Sequence, residues 1–368
     1  MQKTKLVIAS ILKPVDDTRM YEKFGLSLSQ TNKYDINIIG FYSKNIPTDP
    51  NITFHPLFNF KRISLRRVFA PYVFLKRIIK VKPQVLIVNT HELLIVAFIY
   101  KILFGTKLIY DIRENYFRNI IHTAAFVRMV RPLIAGYVRL KEYASTLFVD
   151  QYILAEKAYR DELKFVKNKV LIIENKYRPS SNKEYSIRAT DKLKLLFTGT
   201  IGESTGIFEA INIAKALYEI EPSVELNILG YCAKKETYHK LLAAIDPYAF
   251  IHLQGGDHLV PHNEIINAIH NSDFGIIYYP KNPSTVGSTP TKLYEYLGSQ
   301  LPVLIQKHQA WNAIVDKYNA GLVINLKKID YTDLHKKMQS QQFYEKVAID
   351  ELLWSSEESK LLDCIDNL

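Results

Sequence analysis

The chain alternates short, continuous apolar runs with longer stretches in which apolar residues return at helical spacing. KLVIAS (5–10), INIIGF (36–41), QVLIVN (84–89) and KLIYDI (107–112) have strand length and no polar alternation, the pattern of strands covered on both faces. Between the last two, HELLIVAFIYKILFGT supplies a helix stopped by Gly105, so 84–112 predicts one β-α-β unit with a right-handed crossover. QYILAE (151–156) and KVLIIENK (169–176) add two strands, and the polar stretch KYRPSSNKEYSIRATDK then suits a linker. The pattern restarts with KLKLLFTG (192–199), VELNILGY (224–231), AFIHLQG (249–255), DFGIIYYP (273–280) and LPVLIQ (301–306), separated by helical segments such as FEAINIAKALYEI and NEIINAIHNS. The expectation is an α/β chain of two doubly wound parallel-sheet domains, 1–178 and 179–349. From Tyr331 onward the tail is expected to be helical, with a last helix at about 350–368 packing back on the first domain.

Composition agrees with two ordered domains. At 368 residues, 48% hydrophobic and 23% charged, the chain is long enough for two cores and too apolar for disorder. Two cysteines, Cys232 and Cys364, with no CxxC pair and no histidine cluster, suit a reducing compartment and argue against a structural metal. The N-terminus lacks a cleavage-site pattern, and the run Leu93–Phe104 is interrupted by Lys101 and too short to span a bilayer. A cytoplasmic protein without a transmembrane helix is expected. The net charge of +11 is unevenly shared: residues 1–180 carry 30 Lys and Arg against 14 Asp and Glu, residues 181–368 carry 18 against 23.

Ligands of open α/β sheets bind at the C-terminal strand ends, and several polar groups stand there in the second half. FTGTIGESTGIFEAI places Gly199, Thr200, Thr205 and Gly206 in a strand-to-helix loop, where glycines let a backbone approach an anion and a helix start offers amides. A plain tight turn has the same pattern. Gly230 ends the next strand, as a turn glycine also would. In GSTPTKLYEYLGSQLPVL, Thr289 is placed as N-cap and Pro290 as first helical residue. Ser288, Thr289 and Lys292 then offer a phosphate hydroxyls and a cation, and Glu295, three residues on and sharing the face of Lys292, can accept hydrogen bonds from a vicinal diol. An exposed Lys-Glu helix pair is the plain alternative.

In the first half, Thr90, His91 and Glu92 follow one strand and Arg113 and Glu114 another, which makes His91, Arg113 and Glu114 catalytic candidates. Asp16, Asp17 and Arg19 follow the first strand and suit either an acceptor side or helix capping. Two basic, apolar-interleaved stretches, 60–83 with eight Lys and Arg and no acid, and 117–141, point to an anionic membrane surface rather than nucleic acid, since no nucleic-acid module accompanies them.

The order of strand, glycine loop and helix, then strand-glycine, then P-x-K-x-x-E-Y followed by LPV resembles the GT-B fold of retaining glycosyltransferase family 4, the group 1 glycosyl transferases, of bacterial polysaccharide and capsule type. DDTRMYEKFGLSLSQ, VLIVNTHELLIVA, KLIYDIRENY, VLIIENKY and WSSEESKLLDCI extend the resemblance along nearly the whole chain. It implies two Rossmann-like domains facing across a cleft, with the second binding a nucleoside diphosphate sugar, UDP- or GDP-linked, as donor substrate, and with no cofactor and no metal. It implies that Glu295 holds the ribose hydroxyls, and that a sugar passes with retention to a hydroxyl of a glycan or lipid-linked acceptor at the inner face of the cell membrane. The chain departs from the family where Thr200 and Thr205 replace an Arg and a Lys that touch the diphosphate, and where Gly287 replaces the first glutamate of E-x7-E. The family also commonly has a histidine at the position of Arg113, so the catalytic role is divided between His91 and Arg113, with Glu114 as partner or acceptor-side base. A nucleotide-sugar 2-epimerase of the same architecture and a catalytically inactive nucleotide-sugar-binding subunit of a membrane complex are the rival readings.

Overall fold

The computed structural model describes residues 3–44, 46–61, 64–122, 126–166, 169–179, 192–280, 282, 287–345 and 347–368. The chain divides into two compact units, Met1–Asn175 with Trp354–Leu368, and Lys176–Leu353. Most of the linker-like stretch, 180–191, lies outside the described residues.

The first unit has seven strands, β1 (Thr4–Pro14), β2 (Tyr34–Phe41), β3 (Ile52–Phe58), β4 (Val85–Val88), β5 (Lys107–Ile112), β6 (Gln151–Leu154) and β7 (Val170–Ile172). All pair in parallel in the order β3-β2-β1-β4-β5-β6-β7, with Leu6 of β1 opposite both Ile36 and Val85. The order reverses direction between β1 and β4, the switch point at which doubly wound sheets bind ligands. Its helices are α1 (Leu26–Gln30), α2 (Leu65–Val81), α3 (Leu94–Phe104), α4 (Tyr116–His122), α5 (Arg131–Ser145) and α6 (Tyr159–Glu162). Alternate residues of each strand feed two cores. Val7, Ala9, Leu86, Val88, Leu108 and Tyr110 pack under Phe74 and Ile78 of α2 and Ala97 and Tyr100 of α3. Leu6, Ile8, Ile36, Ile87 and Ile109 pack on the other side with Met20, Phe24 and Leu28.

The second unit repeats the plan with β8 (Lys194–Thr200), β9 (Glu225–Tyr231), β10 (Ile251–Gly256), β11 (Phe274–Ile277), β12 (Val303–Gln306) and β13 (Gly321–Ile324) in the parallel order β10-β9-β8-β11-β12-β13. Helices α7 (Ile207–Ile220), α8 (Lys235–Ile245), α9 (His262–His270), α10 (Thr291–Gly298), α11 (Gln309–Lys317) and α12 (Tyr331–Ser340) belong to it. The last helix, α13 (Ser355–Asp366), belongs to the first unit: Trp354 is buried and donates from Nε1 to Ser27 Oγ at 2.8 Å, and Leu361 and Ile365 join the core around Phe24. The tail is thus not one helical run, because α12 stays with the second unit and 341–354 separates it from α13.

Two strands escape the apolar-run pattern, β3 and β13. Both are edges: β3 (ITFHPLF) carries His55 and Pro56 and is half exposed, as an edge strand tolerates, and β13 has four residues. Among the described residues no helix is long and apolar enough to cross a membrane.

Candidate functional site

In the second unit the polar groups gather at the C-terminal end of β8, next to the β8–β11 switch point. The helix start differs from the expected one. Pro290 has ψ 141° and is the N-cap, without a side-chain capping bond, and α10 begins at Thr291, so Thr289 precedes the cap. Proline before the first helical residue forces its neighbour out of helical geometry and ends the approach loop there. The loop is held from below by the buried Trp311, whose Nε1 donates to the Ser288 carbonyl at 2.8 Å. Leu293 N–H returns to the Pro290 carbonyl at 2.9 Å, while the amides of Thr291 and Lys292 donate to no carbonyl among the described residues. A helix start with two such amides is an anion-binding geometry.

Lys292 is no surface lysine. It is 7% exposed; its Nζ lies 4.0 Å from the ring centre of Phe197 and 5.4 Å from that of Tyr279, and donates to the Thr198 carbonyl at 3.2 Å. Among the described residues no carboxylate forms an ion pair with it. Burial, only partly opposed by the charge of Glu295, lowers its pKa to about 7. Glu295 does not close an ion pair with Lys292; its Oε1 meets His262 Nε2, at the first residue of α9, at 3.3 Å. The neighbouring Tyr296 is buried and its hydroxyl engages both the amide and Oγ1 of Thr198, at 3.0 and 2.9 Å, tying α10 to the end of β8.

The glycine loop does less than its sequence promised. Thr205 N–H, Gly206 N–H and Ile207 N–H turn back onto the carbonyls of Gly202, Glu203 and Gly202, and Thr205 Oγ1 bonds the Thr200 and Gly202 carbonyls, so these donors serve the turn itself. Gly206 has φ +77° and a Cβ there would lie 1.9 Å from the Tyr278 carbonyl oxygen. Gly230 is required by packing: a Cβ would meet the Gly199 carbonyl oxygen at 1.8 Å. Gly199, with φ +92°, faces open space instead, and Thr200 is exposed beside it.

In the first unit a second polar cluster surrounds the ends of β4 and β5. Asp17 accepts from the amides of Arg19 and Met20, capping a π-helical segment Thr18–Gly25, and binds Arg113 through both oxygens at 2.7 and 3.1 Å. Burial opposes ionisation of Asp17, but the Arg113 guanidinium outweighs it and holds the carboxyl at about 2. Arg113 is therefore a paired cation. Arg19 does not line an acceptor surface. It is 1% exposed, grips both oxygens of the wholly buried Asp111, and reaches Ile173 O and Asn175 Oδ1 at 3.0 and 2.7 Å, lying over the Phe24 ring on the face of the sheet that Ile109 and Ile173 also line. Glu114 is half-buried and accepts from Asn119 Nδ2 at 3.0 Å.

His91 opens a single 3-10 turn before α3, packs edge-on to Tyr116, and is buried. Lys141 Nζ sits 3.0 Å from its Nδ1, which assigns the remaining proton to Nε2, 3.6 Å from Glu92 Oε2. Burial, reinforced by Lys141 and Arg67 and opposed by Glu92, lowers its pKa to about 4. A neutral imidazole with a proton on Nε2 donates a hydrogen bond and does not serve as a base at that atom. Around it, the buried oxygens Asn89 Oδ1, Thr90 Oγ1, Glu92 Oε2 and Glu142 Oε2 have no hydrogen-bond partner among the described residues. Such groups cost about 1–3 kcal/mol each and mark polar sites more often than cores. Glu142, Lys141 and Tyr116 join this cluster from α5 and α4 without any local sequence signal; His262 and Phe197 do the same in the second unit. No group of three His, Cys, Asp or Glu with metal-site geometry occurs among the described residues.

No protein-family model and no curated protein matches the sequence. Solved structures do match. Sucrose-phosphate synthase from Thermosynechococcus elongatus superposes with a TM-score of 0.68 at 12% identity over 99% of both chains. Anabaena HepE in complex with UDP and glucose gives 0.63 at 12% identity over 99% of this chain and 100% of the other. A chain from Listeria monocytogenes described as a candidate UDP-N-acetylglucosamine 2-epimerase gives 0.62 at 12% identity, covering 99% and 96%. Identity at this level speaks to architecture alone, and with the two parallel sheets it settles the architecture: the chain has the GT-B fold.

Proposed function

We propose that this protein is a glycosyltransferase that moves a sugar from a nucleoside diphosphate sugar to a hydroxyl of a glycan or lipid-linked acceptor. The observation that carries the reading is Lys292, a buried cation with no carboxylate ion pair among the described residues, standing at the switch point beside the two open amides of a helix start. A diphosphate supplies the missing negative charge. Fixed donors and a positive charge in a desolvated site stabilise the same group as it leaves, the kind of electrostatic contribution that dominates many enzyme rate enhancements. Glu295, one turn deeper, is assigned the ribose hydroxyls, with His262 orienting its carboxylate. In the first unit His91, as a hydrogen-bond donor, and the buried oxygens of Asn89, Thr90 and Glu92 are assigned to hydroxyls of the acceptor or the transferred sugar. The solved structures of the same fold include one holding UDP and glucose, which favours a UDP-sugar among donors. Retention, membership of family 4, independence from metal and a role in polysaccharide or capsule synthesis follow from the sequence resemblance. The basic stretches 60–83 and 117–141 support a peripheral place on an anionic membrane as part of this reading.

Calorimetry with UDP-, GDP- and ADP-sugars, followed by turnover of the best binder with lipid-linked acceptors, tests the proposal. Donor-dependent transfer to an acceptor is expected; conversion of the donor alone to a 2-epimer shows an epimerase, and binding without turnover shows a nucleotide-sugar-binding subunit.

A further inference from the structure

Nineteen of the twenty-five large apolar side chains that stand exposed among the described residues fall between Leu65 and Leu147, on α2, α3, α5 and the turns on either side of α5. Those three helices are neighbours, α3 lying between α2 and α5; α2 and α3 pack on one face of the first unit's sheet, and α5 reaches the same face through Glu142 and Ser145, which bond the hydroxyls of Tyr110 and Tyr152. Their inner sides supply the core. Their outer sides are apolar as well, which is not the pattern of helices facing water. α3 is the extreme case: its eleven residues contain one charge, Lys101, and Ile102, Leu103 and Phe104 stand 66%, 66% and 53% exposed. α2 and α5 carry their basic residues around this apolar centre, and the single acid in all three helices, Glu142, is 1% exposed.

We infer that the α2-α3-α5 face inserts into an anionic lipid surface, with the C-terminal half of α3 entering the acyl region and the Lys and Arg of α2 and α5 meeting the headgroups. This rests on the membrane contact proposed above and changes its nature: the contact is held by apolar insertion through α3, a helix outside both basic stretches, and not by charge alone. Apolar burial is insensitive to salt, whereas headgroup attraction decays within a Debye length. A second copy of the chain is disfavoured as occupant, since pairing two basic faces without exposed acids brings like charges together.

Flotation of the full chain with vesicles of phosphatidylglycerol and phosphatidylcholine tests this. The wild type is expected to float and to keep a measurable bound fraction at about 1 M salt. The double variant Ile102→Glu with Leu103→Glu is expected to lose about tenfold or more of its partitioning, on the scale of two buried aliphatic side chains, with its melting temperature and its donor affinity unchanged. A Leu103→Trp variant reports depth directly, because Trp311 and Trp354 are buried: its fluorescence is expected to shift to the blue and to be quenched by brominated acyl chains. If the glutamate variant floats like wild type and binding vanishes in salt, insertion is overturned while surface contact survives. If the wild type fails to float, both fall. Self-association in sedimentation velocity that the glutamate variant abolishes, without vesicle binding, overturns it in favour of a dimer. None of these outcomes depends on sugar transfer.

Discussion

Lys292 shows most plainly what one residue gives up for its position. Its pKa lies at about 7 in the folded chain against 10.5 unperturbed, so the unfolded chain binds more protons between those values and stability rises with pH across that window. Removing the amine should therefore stabilise the second unit. Lys292→Met is expected to raise its melting temperature at pH 7 by a few degrees while abolishing measurable donor binding, a trade between stability and function checked by calorimetry. A bound diphosphate holds the lysine protonated, so donor affinity is expected to fall above about pH 7, approaching tenfold per pH unit, and Lys292→Arg should flatten that slope because arginine does not titrate. A nucleotide sugar suits this titration, having no phosphate ionisation of its own near neutrality. Glu295→Ala is expected to weaken the donor by roughly 10- to 100-fold, the loss of one or two charge-assisted hydrogen bonds, and unchanged affinity would remove the ribose assignment. Arg19 belongs to a different ledger. Arg19→Met leaves Asp111 a buried charge with Asn89 as its side-chain hydrogen-bond donor among the described residues, and about 3–5 kcal/mol of the first unit's stability should disappear in denaturant unfolding.

Among the elements, the loops after β8 and before α10 look alike in sequence, each rich in glycine and small hydroxyl residues, yet they do different work. The loop after β8 consumes its amides in its own turn, so Gly206 is there for backbone shape and for its approach to Tyr278. Gly206→Ala combines a left-handed φ with a backbone clash and is expected to cost more than about 2 kcal/mol, whereas Gly199→Ala, strained at φ but facing open space, should cost nearer 1. Thermal unfolding of both variants checks the order, and a reversed ranking would show that the loop relaxes. The α10 start keeps its amides because Pro290 stops the preceding chain from entering the helix and Trp311 fixes Ser288 below it. The element was legible from the P-x-K-x-x-E spacing. The burial of Lys292 was not, since Phe197 and Tyr279, which enclose it, come from 95 and 13 residues away.

At the scale of the molecule, two units with separate cores and a C-terminal helix returned to the first predict separable behaviour. Trp354→Ala should lower the melting of the first unit, by about 3–5 kcal/mol of unfolding free energy, while a donor nucleotide should raise only the transition of the second. A single transition shifted by both would show that the units unfold together. The sequence by itself determined the two parallel α/β units, most strands to within two or three residues, and the helix that carries Lys292 and Glu295, because a strand buried on both faces and an amphipathic helix impose their periods locally. Tertiary structure alone decided that Arg19 is an interior cation rather than an acceptor contact, that Lys141 sets the tautomer of His91, and that α3 offers an apolar outer face between two basic helices. Those are consequences of which residues meet after the chain has crossed the sheet, and burial, charge pairing and proton affinity are properties of the meeting, not of the residue.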